Sequence, residues 1–157
     1  MPKKIVVAFL ALFMLCLSSC QEKPSDAVME DVVAAVEKAI PDSGSMVEAD
    51  KDYLKGFFSA DPDDFASYII KVQSNGSNID EFGIFEAKSN DDISNITKML
   101  DEFFEIYRAA WNDSYLQSEY PKLRDAEYYV SGKFVMYCIL NEETKEAALT
   151  AFKDTTS

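Results

Sequence analysis

Three kinds of side chain in this sequence are equipped for chemistry: thiols, a surplus of carboxylates, and a late cluster of aromatic rings. Histidine is absent from all 157 residues, which removes Ser–His and Cys–His nucleophile pairs and the commonest general base near neutral pH. Adjacent acids occur at Asp63/Asp64, Asp91/Asp92 and Glu142/Glu143. Two carboxylates facing each other across a cleft can hydrolyse a glycosidic bond. Each pair also falls where a helix is expected to begin, and there the helix dipole accounts for acids without catalysis. Cys138 lies among apolar neighbours, the setting of a buried structural thiol; a reactive one needs an electropositive, partly exposed environment. No Cys/His cluster offers zinc ligands, and Asp61-Pro62-Asp63-Asp64 lacks the spaced ligands, glycine and closing Glu of a calcium loop. No metal or other cofactor is therefore expected. The rings are Trp111, Tyr115, Tyr120, Tyr128 and Tyr129. Buried, they are packing, which is the expectation for most of them. Exposed, Trp111, Tyr115 and Tyr120 are the candidates for an interaction surface that stacks on sugar or peptide.

The thiol with a defined fate is Cys20. Lys3 and Lys4 form a basic start, residues 5–17 are an unbroken run of thirteen apolar residues, and Leu17-Ser18-Ser19-Cys20 closes it. A charged start, a short apolar core and small residues before a cut describe an export signal. The run is also shorter than the ~20 residues a spanning helix needs. The last four residues look like the bacterial lipobox, which implies cleavage between Ser19 and Cys20 and a diacylglycerol thioether on Cys20. A plain secretory signal or an uncleaved anchor are the alternatives, but position, flanks and motif together favour the lipoprotein. Two acyl chains suffice for a stable membrane anchor where one is marginal.

Processing sharpens the composition. The chain carries 15 basic and 28 acidic side chains, a net charge of −13; residues 1–19 hold two of the lysines and no acid, leaving 13 − 28 = −15. Nucleic-acid phosphates would repel such a domain, and so would anionic headgroups, so the charge reads as solubility and repulsion from the bilayer. Loss of Cys16 and acylation of Cys20 leave Cys138 as the remaining thiol, so packing alone must hold the fold. The expected organisation is a signal over residues 1–19, a lipidated polar tether over 20–27, and one domain over 28–157. Eleven Phe and eight Tyr supply bulky core material.

The elements that must position these residues follow from periodicity. A first helix, capped by Ser25 or Asp26, is expected through Val28, Val32, Val33, Val36 and Ile40, stopped by Pro41-Asp42-Ser43-Gly44. Asp50 should cap a shorter helix with Tyr53/Phe57 and Leu54/Phe58 as i,i+4 pairs. Asp61-Pro62-Asp63-Asp64 has the residues of a helix start. Strands are expected over 67–73 and 81–88 around an Asn75-Gly76 turn. Ser89-Asn90-Asp91-Asp92 resembles a capping box, and the stripe Ile93, Ile96, Leu100, Phe103, Tyr107 and Ala110, widened by Met99, Ile106 and Trp111, predicts a long amphipathic helix to about Leu116. Strands over 126–130 and 133–140 should join through Ser131-Gly132, with a last helix over 144–152. The sum is an α+β domain: N-terminal helices, then two ββα units whose antiparallel sheet packs against two helices. Residues 134–140 are apolar at every position, so both sheet faces need cover; the two long helices are expected on one face, the N-terminal helices or a partner on the other.

From Met46 to Phe152 the chain resembles a family of small bacterial lipoproteins known as domain of unknown function 4358. The resemblance lies in Phe58-Ser59-Ala60-Asp61-Pro62 followed by a strand with Tyr68, in Ile84-Phe85-Glu86-Ala87-Lys88 leading into a long helix, in Tyr120-Pro121, and in Tyr129-Val130-Ser131-Gly132-Lys133-Phe134-Val135. It implies a lipobox and one α+β domain, with no activity and no site residues to transfer. The expected function is a membrane-anchored extracytoplasmic lipoprotein that binds an envelope-protein or cell-wall partner without catalysis. A carboxylate-dependent hydrolase of cell-wall glycan and a self-associating structural lipoprotein are the alternatives.

Overall fold

A computed structural model describes residues 27–112 and 114–157; the signal, the lipobox with Ser19 and Cys20, and the tether through residue 26 lie outside the described residues. The fold is organised around β5 (Phe134–Ile139), every residue of which is buried. It lies between β3 (Glu81–Glu86) and β4 (Glu127–Ser131) in a five-stranded sheet completed by β2 (Ser67–Gln73) and β1 (Met46–Glu48). The order is β1-β2-β3-β5-β4 and every neighbouring pair is antiparallel.

Alternation along β5 divides the interior into two layers. Val135, Tyr137 and Ile139 face α2 (Lys51–Phe58), α3 (Ile93–Ala110) and α4 (Tyr120–Arg124), which contribute Leu54, Phe58, Leu100, Phe103, Phe104 and Leu123. Phe134, Met136 and Cys138 face α1 (Met29–Ala39) and α5 (Glu142–Thr156), which contribute Val32, Val33, Val36, Ala148 and Phe152. The α+β class and the two ββα units, β2-β3-α3 and β4-β5-α5, are present as the sequence implies. The long helices do not share a face, however: α3 takes one and α5 the other. Since β3 and β4 both run antiparallel to β5, they are parallel to each other. The chain must cross over between them, and α3 with α4 makes that crossing on one face. A sheet apolar on both sides then needs α5, beside α1, on the other.

Local chemistry explains the remaining departures. Helix α1 begins at Met29 behind Val28, with no side-chain cap; Glu30 and Asp31 supply first-turn charge instead. The Asp61 motif forms a 3₁₀ turn, Pro62–Asp64, inside a complete capping box. Ser89 precedes a second 3₁₀ turn, Asn90–Asp92, but forms no capping box, because its hydroxyl donates to the Asp92 side chain instead of accepting a backbone N–H. Helix α3 ends at Ala110 instead of near Leu116, because Trp111 is extended (φ −62°, ψ 134°) and the Asn112 side chain accepts the Ser114 N–H. The last hairpin turns on Gly132-Lys133, not Ser131-Gly132. Ser131 pairs with Phe134, and Gly132 takes the positive φ of +54° that the first central position favours. No helix among the described residues is long and apolar enough to cross a membrane.

Candidate functional site: an aromatic groove

Asp50 fixes where α2 starts, its Oδ1 accepting the backbone N–H groups of Asp52 and Tyr53 at 3.0 and 2.9 Å. That start turns Leu54 and Phe58 inward, and Phe58 stacks on Phe103 of α3 with ring centroids 4.2 Å apart. Tyr53 and Phe57, one turn apart on the neighbouring stripe, stack at 4.4 Å and leave Phe57 51% exposed. Ser59 ends the helix in the left-handed conformation (φ +53°).

Between this end of α2 and the last turns of α3 lies a groove of about 480 Å³. Phe57, Phe103, Ile106, Tyr107, Trp111 and Tyr115 form most of its surface, with Ser59 and Asn112 as its polar side chains; no charged side chain among the described residues lines it. Ile106 is 65% and Tyr115 58% exposed, so three of the six most exposed large apolar residues described meet at this one place. The indole Nε1 of Trp111 is buried without a hydrogen-bond partner among the described residues.

The structure thus brings Trp111 and Tyr115 together. Tyr120 does not line the groove; its ring backs Trp111 from α4 at 5.6 Å. Tyr128 packs into the core beneath α3, and Tyr129 belongs to the opposite layer, under Lys153. Sequence reasoning missed Phe57 and Ile106 as site residues because helical spacing makes them core. The usable signal was excess: α3 carries a wider apolar stripe than one packed face needs.

Beneath the groove lies a group that spacing gave no reason to single out. Glu81, 4% exposed, shares the buried face of β3 with Gly83 and Phe85. Tyr53 donates its hydroxyl to Oε2 at 2.8 Å, and Tyr137 donates to Oε1. The Tyr137 ring lies across Gly83, its cross-strand partner; a Cβ there would come within 2.2 Å of the ring. Burial pushes the Glu81 carboxyl up to about 7, against the two hydrogen bonds that pull it down. Burial, and then the Glu81 charge, likewise raise the Tyr53, Tyr107 and Tyr137 hydroxyls.

The acidic pairs sit elsewhere. Asp63, Asp64, Asp92 and Glu102 line an open depression of about 500 Å³ beside the start of α3. Asp64 accepts the Asp61 N–H at 2.8 Å, Asp92 accepts the Ser89 hydroxyl at 2.7 Å, and Glu102 pairs with Lys98 at 3.8 Å. Glu142 and Glu143 occupy the first turn of α5, where Glu142 pairs with Lys145 at 2.9 Å. Cys138 is fully buried, and burial pushes its thiol up to about 12.

Residues 38–140 match the family described as "Domain of unknown function (DUF4358)". No curated protein and no solved structure matches the chain.

Proposed function

The chain belongs to the DUF4358 family, and from that premise we propose an extracytoplasmic bacterial lipoprotein, anchored through lipid on Cys20, whose domain binds an uncharged apolar group in the groove. The carrying observation is the convergence of half-exposed Phe57, Ile106 and Tyr115 on one cavity without charged lining among the described residues. Exposed apolar side chains scattered singly are ordinary, whereas a contiguous patch with a polar rim marks a binding site. A concave, mostly aromatic surface with a few polar groups suits an apolar ligand or an apolar side chain of a protein partner. A hydroxyl-rich glycan would find few hydrogen-bond partners there. The anchor rests on the lipobox and its flanks. The non-enzymatic reading rests on the missing histidine and on one acid of each adjacent pair being already engaged, Asp64 as a cap, Asp92 by the Ser89 hydroxyl and Glu142 in an ion pair.

Trp111 is the single tryptophan, so its emission reports occupancy of the groove. Titration with the neutral dye N-phenyl-1-naphthylamine should draw energy from Trp111 into bound dye. Ile106→Asp places a charge at the mouth and should weaken binding about tenfold or more, roughly the 1–2 kcal/mol of a lost apolar contact. Val130→Asp, on the exposed face of β4, should leave binding unchanged. Equal affinity in all three proteins, or no transfer in any, refutes the groove.

A further inference from the structure

We infer that Glu81 is a proton-operated latch on α2: protonated, it holds the helix and the groove wall it carries against the sheet, and ionised, it loosens them. This deepens the groove reading and rests on it for its functional consequence.

One carboxyl underlies two walls of the groove. Through Oε2 it takes the hydroxyl of Tyr53, whose ring stacks on Phe57, a groove residue. Tyr107 of α3, also in the groove, feels the same carboxyl from the other wall. Through Oε1 it is fixed to Tyr137, which Gly83 admits to the sheet surface. A side chain buried to 4% exposure therefore connects α2, eight residues long, to the centre of the sheet.

The groups facing Glu81 are Tyr53 from α2, Tyr137 from β5 and Tyr107 from α3, all neutral phenols. From β2 the residue opposite is Val72. Lys122 of α4, which reaches the adjacent residue Asp80, is engaged by Asp80 at 2.6 Å and Glu119 at 2.7 Å, and no ion pair among the described residues involves Glu81. Protonated, Glu81 keeps both contacts when one phenol turns to accept the carboxyl proton while the other still donates. Ionised, it takes both donations but has no counter-charge, and a buried charge in that state is relieved by admitting water. Helix α2 is held by Leu54 and Phe58, whereas β3 and β5 are locked by six-residue pairing, so α2 gives way first. Burial has already raised the carboxyl to about 7, which places the change in an accessible range.

Hydrogen exchange of α2 amides, corrected for intrinsic rates, tests this in the unliganded domain. If opening returns Glu81 to ordinary solvation, α2 opening should rise on the order of 30-fold between about pH 5.5 and about pH 8 in the wild type. In Glu81→Gln it should not rise. An equal rise in both proteins, or none in the wild type, overturns the latch. Should Glu81→Gln fail to fold, Tyr53→Phe decides: losing a hydrogen bond that lowers the Glu81 value must move the transition to higher pH, and an unmoved transition overturns the latch equally. No ligand enters this measurement, so its failure leaves the dye titration standing, and failure of the dye titration leaves the latch standing.

Discussion

Tyr137, Gly83 and Glu81 are where single atoms matter most. Gly83→Ala would force the Tyr137 ring off β3 and with it the hydroxyl that serves Glu81. Overpacking and an orphaned buried acceptor together should cost about 2–4 kcal/mol, read as a lower urea midpoint at unchanged slope. Glu81 also sets a pH dependence whose sign is fixed. Its folded value, about 7, lies above the ordinary 4.5, so the folded state holds the proton more tightly than the unfolded chain. The stability this gives is complete below about 4.5 and is lost as pH rises through about 7, a change on the order of 3 kcal/mol. Urea melts of wild type and Glu81→Gln at pH 5 and 8 isolate it, because the wider acidic repulsion is common to both proteins. The wild type should lose more stability on going to pH 8; parallel losses contradict the assignment. None of this triad is visible in the sequence. Glu81 reads only as the first residue of a strand, since β-spacing says which residues share a face but not which phenol will reach across from a helix 28 positions away. Trp111 and Tyr115 were legible because large rings near a helix end are few and conspicuous.

At the scale of elements, the long amphipathic patterns were legible and the short ones were not. Helix α3 and strands β2, β3 and β5 carry enough repeats for their period to declare them. Strand β1 has three residues and α4 five, too few for any period, and both exist because tertiary partners complete them: β1 pairs with β2, and α4 buries Leu123. The split of α3 and α5 between faces was hidden for another reason. It depends on β3 and β4 being parallel, a fact of strand order that no local pattern encodes. Asp50 illustrates a legible element with a functional load, since its two backbone contacts set the phase of α2 and so the placing of Tyr53 and Phe57. Asp50→Ala should cost about 1 kcal/mol of stability by losing the cap. It should also raise α2 exchange at every pH without moving the Glu81-dependent midpoint, which separates helix start from latch.

For the whole molecule, a chain of net charge −13 presents a groove with no charged lining among the described residues. Lipid on Cys20 would hold it at the bilayer while the charge keeps it off the headgroups. Cys20→Ala should move the protein from the membrane fraction to the soluble one and abolish labelling by a clickable palmitate analogue, with the domain's urea midpoint unchanged; full retention in the membrane fraction contradicts the anchor. The central claim joins anchor and groove, and photocrosslinking in the native membrane tests it most directly. A benzoyl-phenylalanine at Ile106 of the lipidated protein should give a discrete adduct that the same probe at Val130 does not, and that Tyr115→Ala or Cys20→Ala diminishes. Indistinguishable adducts from Ile106 and Val130 would mean that the groove is not where this protein meets its partner.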